Sequence, residues 1–381
     1  MVQSFGENSQ TARRELEGYL RAMVLRGASD LFFSAGVPTH IKIEGSIGHF
    51  GERSLARAEI ERLAFSVMTV EQREQFARRP EMNLGISLDG QGRFRINIYR
   101  QRGDVSMVVR HLREEIPRLD ALNLPPILER LVMLPRGLVL VVGATGSGKS
   151  TTLASMIEHR NRDSASHILT IEDPIEYVHR SQRSLVEQRE VGIDTHSYAD
   201  ALSNAMREAP DVILIGEIRD RETMQHAIAY AETGHLCLST LHANNANQAL
   251  ERIITFFPES AHAQLFMDLS MNLRAIVSQR LVHGRDGRRL PALELLINSP
   301  LIADLIKKGA VDELRAAMER NSNDGSQTFD QALLALYRQH RISYDEAVRN
   351  AESANNLRLA IRLDESGSVN PPKDMSIAKD Q

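Results

Sequence analysis

Apolar and polar residues are spaced differently on the two sides of residue 136. Before it, the apolar positions are sparse and periodic. Leu16, Leu20, Met23 and Val24 recur at helical spacing, which predicts an amphipathic helix over 11–26. Short alternating segments at 31–33, 41–44 and 93–99 predict strands, with a helical stretch at 58–78 between the last two. Together they predict a small α+β domain over 11–113. Pro117, Pro125, Pro126 and Pro135 mark 114–135 as a linker holding one short helix at 127–133. From 136 onward, continuous apolar runs at 138–142, 167–171, 211–215 and 236–240 alternate with helical segments. Such runs predict buried parallel strands with crossover helices, a doubly wound α/β domain. Helical spacing takes over at 301–308, 311–320, 329–340 and 344–350, so this second domain extends over 136–362. The tail, 363–381, has two prolines and few large apolar residues and is expected to be disordered.

Composition narrows the class. The chain has 381 residues, 42% hydrophobic and 25% charged, with a net charge of −4, which is ordinary for a water-soluble protein. That balance exerts no global pull on nucleic acid or anionic lipid. No apolar run reaches the roughly 18 residues needed to cross a bilayer, and the polar opening lacks a signal-peptide core. The expected location is cytoplasmic, without direct membrane insertion. The single cysteine, Cys237, excludes an internal disulfide and a cysteine-built zinc site, and its apolar neighbours predict a buried, inert thiol.

The chemistry centres on Gly143-Ala144-Thr145-Gly146-Ser147-Gly148-Lys149-Ser150-Thr151, between the apolar run at 138–142 and a helical segment. This is the spacing of a phosphate-binding P-loop. Only glycine lets the main chain turn tightly enough to wrap an anion in consecutive N–H groups, and the following helix adds its positive end. Lys149 is expected on the β- and γ-phosphates and Ser150 on Mg²⁺. Three further groups narrow the reaction. Glu172-Asp173-Pro174-Ile175-Glu176 leaves three carboxylates at a strand's carboxyl edge, where one can deprotonate an attacking water; a solvated acidic turn is the plainer alternative. The run 211–215 ends in Gly216-Glu217, the form of a Walker B strand, with a surface ion pair between Glu217 and Arg219 as the alternative. His235 and His242 flank the run 236–240 and could sense phosphate, bridge subunits or be structural. Charge on a γ-phosphate also calls for a guanidinium, and the P-loop segment has none. Of the arginines at 93, 95, 100, 110 and 113, Arg95 and Arg110 lie in strand-like contexts that could supply one, in cis or from a neighbouring subunit, although for any single arginine a plain solvated side chain is the better reading.

These residues resemble the ATPases of the type II/type IV secretion and pilus family. Residues 172–176 are similar to its Asp box, 211–219 to its Walker B and 233–242 to its His box. Ala28-Ser-Asp-Leu31, Ser34-Ala-Gly-Val-Pro38, Gly92-Arg-Phe-Arg95 and Gln327-Thr-Phe-Asp330 resemble the pilus-retraction branch, PilT and PilU. Leu31-Phe32 and the segments 236–252 and 303–308 depart from the PilT pattern toward PilU. The extension ATPases carry a four-cysteine zinc site that one cysteine cannot build. The resemblance covers about 11–362. It implies a PAS-like first domain, a RecA-like second domain and a ring of six chains. It further implies ATP and Mg²⁺ as ligands, Glu176 as catalytic base, Glu217 as the Mg²⁺-side carboxylate, and His235 and His242 as the His-box pair. Arg95 and Arg110 are implied on phosphate. The implied partners are a PilT-type ATPase and the inner-membrane pilus platform protein, at the cytoplasmic face of that membrane. An accessory protein that binds ATP to brace a PilT ring is the alternative function. A nucleic-acid translocase is disfavoured by the net acidity.

Overall fold

A computed structural model describes residues 2–43, 46–112, 115–320 and 324–367. The chain forms two compact units whose division is not a single cut. One unit takes the residues up to Pro117 together with Asn161–Pro210. The other takes Arg118–Arg160 and the residues from Asp211 onward, so the span 136–362 contributes to both.

The first unit opens with α1 (Val2–Leu25), β1 (Asp30–Phe33), β2 (Pro38–Ile43), β3 (Ser46–Ser54), α2 (Arg57–Phe65) and α3 (Val70–Arg78). β4 (Glu81–Leu88), β5 (Gly92–Gln101) and β6 (Asp104–Leu112) follow. The six strands make one antiparallel sheet in the order β3-β2-β1-β6-β5-β4. Its core gathers Leu16 and Leu20 of α1, Leu63 of α2, Phe76 of α3, and Phe94 and Ile96 of β5. The single helical stretch expected at 58–78 is two helices. Thr69 breaks it, its hydroxyl accepting from the Gln72 N–H while the Gln72 side chain accepts from the Thr69 N–H, the reciprocal cap that starts a new helix. Three strands appear beyond the expected set. β3 is nearly all exposed and carries no alternation to read, whereas β4 does alternate, through Met82, Leu84, Ile86 and Leu88.

The chain continues with α4 (Ile127–Val132), β7 (Gly137–Val142), α5 (Lys149–Asp163), β8 (His167–Glu172), β9 (Leu185–Glu190) and α6 (Tyr198–Ala205). β8 and β9 pair in parallel and belong, with α6, to the first unit. Next come β10 (Val212–Ile215), α7 (Arg221–Glu232), β11 (Leu236–Leu241), α8 (Ala246–Thr255), α9 (His262–Asn272), β12 (Leu273–His283) and β13 (Arg289–Ile297). In the second unit the strands run β13-β12-β7-β11-β10. β12, β7, β11 and β10 are parallel, and β13 folds back antiparallel on β12. β7, β10 and β11 are buried at every position, which is why they read as continuous apolar runs. Cys237 on β11 is fully buried, and burial pushes its thiol up, as its neighbours predict.

The chain ends in α10 (Pro300–Lys307), α11 (Leu314–Arg320), α12 (Phe329–Arg338), α13 (Tyr344–Asn350) and α14 (Ala354–Gly367). Phe329, Leu333, Leu357 and Ile361 pack with Val282 and Leu290 of the hairpin. The expected start of the tail falls inside α14, because Arg338 holds Asp364 with two bonds of 2.7 Å. The rest of that tail, 368–381, lies outside the described residues.

Candidate active site

β7 must leave the sheet at Gly143, and β12 decides how. A Cβ on Gly143 would lie 2.5 Å from the Gln279 carbonyl oxygen, and one on Gly148 would lie 2.8 Å from Gln279 Nε2. Gly148 also has φ +91°, a conformation that side chains disfavour. Gln279 therefore braces the loop at both ends, and its Oε1 accepts a 2.7 Å bond from Thr152 of α5. Ala144, Thr145 and Gly146 form the exposed tip, with Ser150 and Thr151 half-buried on the first turn of α5. Lys149 Nζ is folded into the loop, donating to the Gly143 and Ala144 carbonyls at 2.8 and 3.0 Å. Ser147 Oγ is buried with no partner among the described residues. An orphaned hydroxyl and a cation inside a cradle where no Cβ fits are what an anion would complete.

Among the described residues, cavities adjoin this loop on more than one side. One of about 560 Å³ is lined by Gly143, Ala144, His242 and Asn244. A second of about 430 Å³ is lined by Gly143–Ser147 with Arg280 and Asn350. A third of about 470 Å³ has Leu122, Leu124, Leu281 and Pro291 beside Gly148 and Thr151, an apolar wall able to take a planar ring.

The acidic end of β10 is locked to β11. Ser239 Oγ donates to the Ile215 carbonyl at 2.8 Å, Thr240 Oγ1 to the Gly216 carbonyl at 2.6 Å, and the Ile218 N–H to the Thr240 carbonyl at 2.9 Å. This places Glu217, with 18% of its side chain exposed, where Oε2 accepts from Arg219 Nε at 2.8 Å and Oε1 meets His242 Nε2 at 3.0 Å. The surface ion pair is present, and so is a histidine contact. His235 lies elsewhere. It precedes β11 at the amino edge, where its Nδ1 is near Thr233 Oγ1 and the Tyr230 carbonyl, at 3.1 and 3.2 Å. The register pairs Leu236 with Gly137 and Leu241 with Val142, so the two histidines stand at opposite ends of a strand, roughly 20 Å apart.

In the first unit the carboxylates after β8 differ among themselves. Glu172 Oε1 accepts from Thr170 Oγ1 at 2.7 Å and Gln188 Nε2 at 3.1 Å, and burial holds its carboxyl above the usual range. Gln188 of β9 also bonds the Tyr177 carbonyl and the His179 N–H, clamping the segment that follows the cis Asp173–Pro174 peptide. Asp173 and Glu176 are exposed. Glu190, 2% exposed, faces Glu172 across the β8–β9 pairing and stands 3.8 Å from Arg95 Nε. Arg95 is thereby next to the 172–176 segment, while Arg110, opposite it across β5 and β6, is paired with Asp30 at 2.8 Å. Arg113 lies outside the described residues. Gln279 and Arg280 escaped the reading of motifs. Their signal is a polar stretch, Ser278-Gln279-Arg280, inside the otherwise apolar run of β12.

Residues 7–326 match the family described as "Type II/IV secretion system protein". The chain is 54% identical to the "Type IV pilus ATPase PilU" of Pseudomonas aeruginosa, over 92% of each sequence. It is 38% identical to that organism's "Type IV pilus retractation ATPase PilT", over 87% of this chain and 96% of PilT. The crystal structure of the pilus retraction motor PilT with bound ADP superposes with a TM-score of 0.83, at 40% identity over 90% of this chain and 98% of the other.

Proposed function

The chain belongs to the type II/IV secretion ATPase family, in its PilU-type pilus branch, and we propose that it works there as an ATP-driven motor of pilus retraction and twitching motility. It is an ATPase with an α/β fold, a PAS-like domain followed by a RecA-like P-loop domain. The observation that carries the motor reading is the Glu217–His242 contact, whose histidine shares a cavity with Gly143 and Ala144 of the cradle. An acid at a strand tip, tied to a polar sensor beside a P-loop, is equipment for turnover rather than for binding alone.

Backbone N–H groups of 143–150 and Lys149 hold the phosphates, with Thr151 beside them. Ser150 and Glu217 would hold Mg²⁺, which would supply positive charge to offset that of the phosphates. Glu176, exposed after a clamped turn, takes the proton of the attacking water. His242 reports the γ-phosphate to Glu217, and His235, at the far edge, belongs to the boundary with a neighbouring subunit. Arg95 supplies a guanidinium from beside the 172–176 segment, and Arg110 supports it from the facing strand. Six chains form the ring, which acts with a PilT-type ATPase on the inner-membrane platform protein at the cytoplasmic face. Among the described residues, no helix is long and apolar enough to cross a membrane.

The test is ATP turnover by the purified chain and by Glu176→Gln. We expect the variant to lose about 10²–10⁴-fold in kcat with its nucleotide affinity intact. Equal rates in the two proteins refute the assignment and favour the accessory that braces a PilT ring. Pilus retraction in a deletion strain, with and without PilT, then reads the motor role directly.

A further inference from the structure

Gln327-Thr-Phe-Asp330 lies outside the cradle, yet all four of its side chains are engaged. Gln327 Nε2 donates to the Leu293 carbonyl at 3.0 Å, and Thr328 caps α12. Phe329 is fully buried, its ring 3.9 Å beneath the Arg280 guanidinium. Asp330 accepts from Arg315 at 2.8 Å and from the N–H groups of Glu352 and Ser353 at 2.8 and 3.1 Å. Glu352, set by those bonds, is the hub of the next layer. Its Oε1 accepts from Arg280 Nη2 at 2.8 Å and Asn245 Nδ2 at 3.0 Å, and its Oε2 from Arg315 at 3.2 Å.

The far end of this network reaches the catalytic loop. Arg280 donates to the carbonyls of Asn350 at 2.9 Å and Asn244 at 3.3 Å, and all three residues line the 430 Å³ cavity beside the P-loop. Asn244 and Asn245 follow His242 after a single residue, Ala243, and Asn245 is also the cap of α8, accepting from the Gln248 N–H at 2.9 Å. With Glu352 only 12% exposed at its side chain, these are sheltered, charge-assisted bonds rather than surface ion pairs. Two linked holds therefore grip Asn244 and Asn245, the second and third residues after His242, one on a main-chain carbonyl and one on a side chain.

We propose that Arg280 and Glu352 are positioning residues of the hydrolysis site. They fix the 242–245 loop against the α12 motif, and so fix the His242 imidazole against Glu217. The inference rests on the ATPase reading for its role in turnover; the tethering itself stands on the hydrogen bonds.

Asn245→Ser isolates the link, because serine still caps a helix but cannot reach Glu352. Glu352→Gln removes the hub charge. For both we expect kcat to fall about tenfold while KM and the dissociation constant of a non-hydrolysable ATP analogue stay within about twofold, the split expected of a group acting on the transition state alone. The double variant should be no slower than the slower single one, since both cut one path. Unchanged kcat in Asn245→Ser, a rise in KM with kcat intact, or additive losses each overturn the proposal. Hydrogen exchange at 242–248 keeps the test open if Glu352→Gln folds poorly or if the wild-type chain turns over no ATP. Faster exchange in Asn245→Ser than in the wild type supports the tether, and equal exchange refutes it.

Discussion

Glu294 offers a stability experiment whose size follows from its surroundings. It lies on β13, 3% exposed, with Oε1 accepting from the Ala246 N–H at 2.7 Å and from Ser278 Oγ at 3.1 Å. Burial pushes its carboxyl up to about 7 from the ordinary 4.5, a rise that the Ala246 bond opposes and the Glu352 charge reinforces. Between those two values the folded chain keeps the proton and the unfolded chain has released it. Raising the pH through that window therefore favours unfolding, by at most about 3 kcal/mol once both states are ionised. Glu294→Gln keeps a carbonyl oxygen for both donors and cannot ionise. We expect it to match the wild type near pH 4.5 and to exceed its stability by about 2–3 kcal/mol at pH 8. The chain has no tryptophan, so urea unfolding followed by circular dichroism is the assay, with both proteins in the same buffers. A wild-type-to-variant difference that is the same at pH 5 and pH 8 would refute the reasoning. It would mean that the Ala246 and Ser278 donors and the Arg280 charge solvate the ionised carboxylate as well as water does.

Two further substitutions test the cradle. Lys149→Ala removes the cation now held on the Gly143 and Ala144 carbonyls and should weaken ATP binding by about 100-fold, read by titration with a fluorescent analogue; an unchanged dissociation constant contradicts it. Gly148→Ala sets a Cβ 2.8 Å from Gln279 Nε2 at a φ of +91°, and strain of about 1–3 kcal/mol should weaken binding about tenfold or more. Adding Gln279→Ala removes the contact but not the backbone strain, so only part of the affinity should return; full recovery would mean that φ costs nothing here.

Local requirements were legible along the chain, and distant ones were not. The P-loop and the Gly216-Glu217 strand end could be recognised because each demand is met within a few consecutive residues: a glycine turn, a lysine at one offset, an apolar run ending in an acid. β7, β10 and β11 announced themselves because strands buried on both faces must be apolar throughout. The pairing of β12 with β13, the break in the helix at Thr69 and the exposed β3 left weaker marks, because cap geometry and strand partners outweigh average propensity.

Tertiary structure alone decided which chemical groups meet. His235 and His242 look like equivalent flanks of one run, but β11 is straight and holds them at opposite edges, so only His242 reaches Glu217. Gln279, more than 120 positions beyond the P-loop, presses on two of its glycines because β12 lies beside β7. Arg95 comes to rest near Glu190, and Asn245 is handed to Glu352, by folding and not by spacing. The physical reason is the same in each case. A motif states what its own backbone can do, whereas the neighbour of a side chain is set by strand order, register and the burial that selects them.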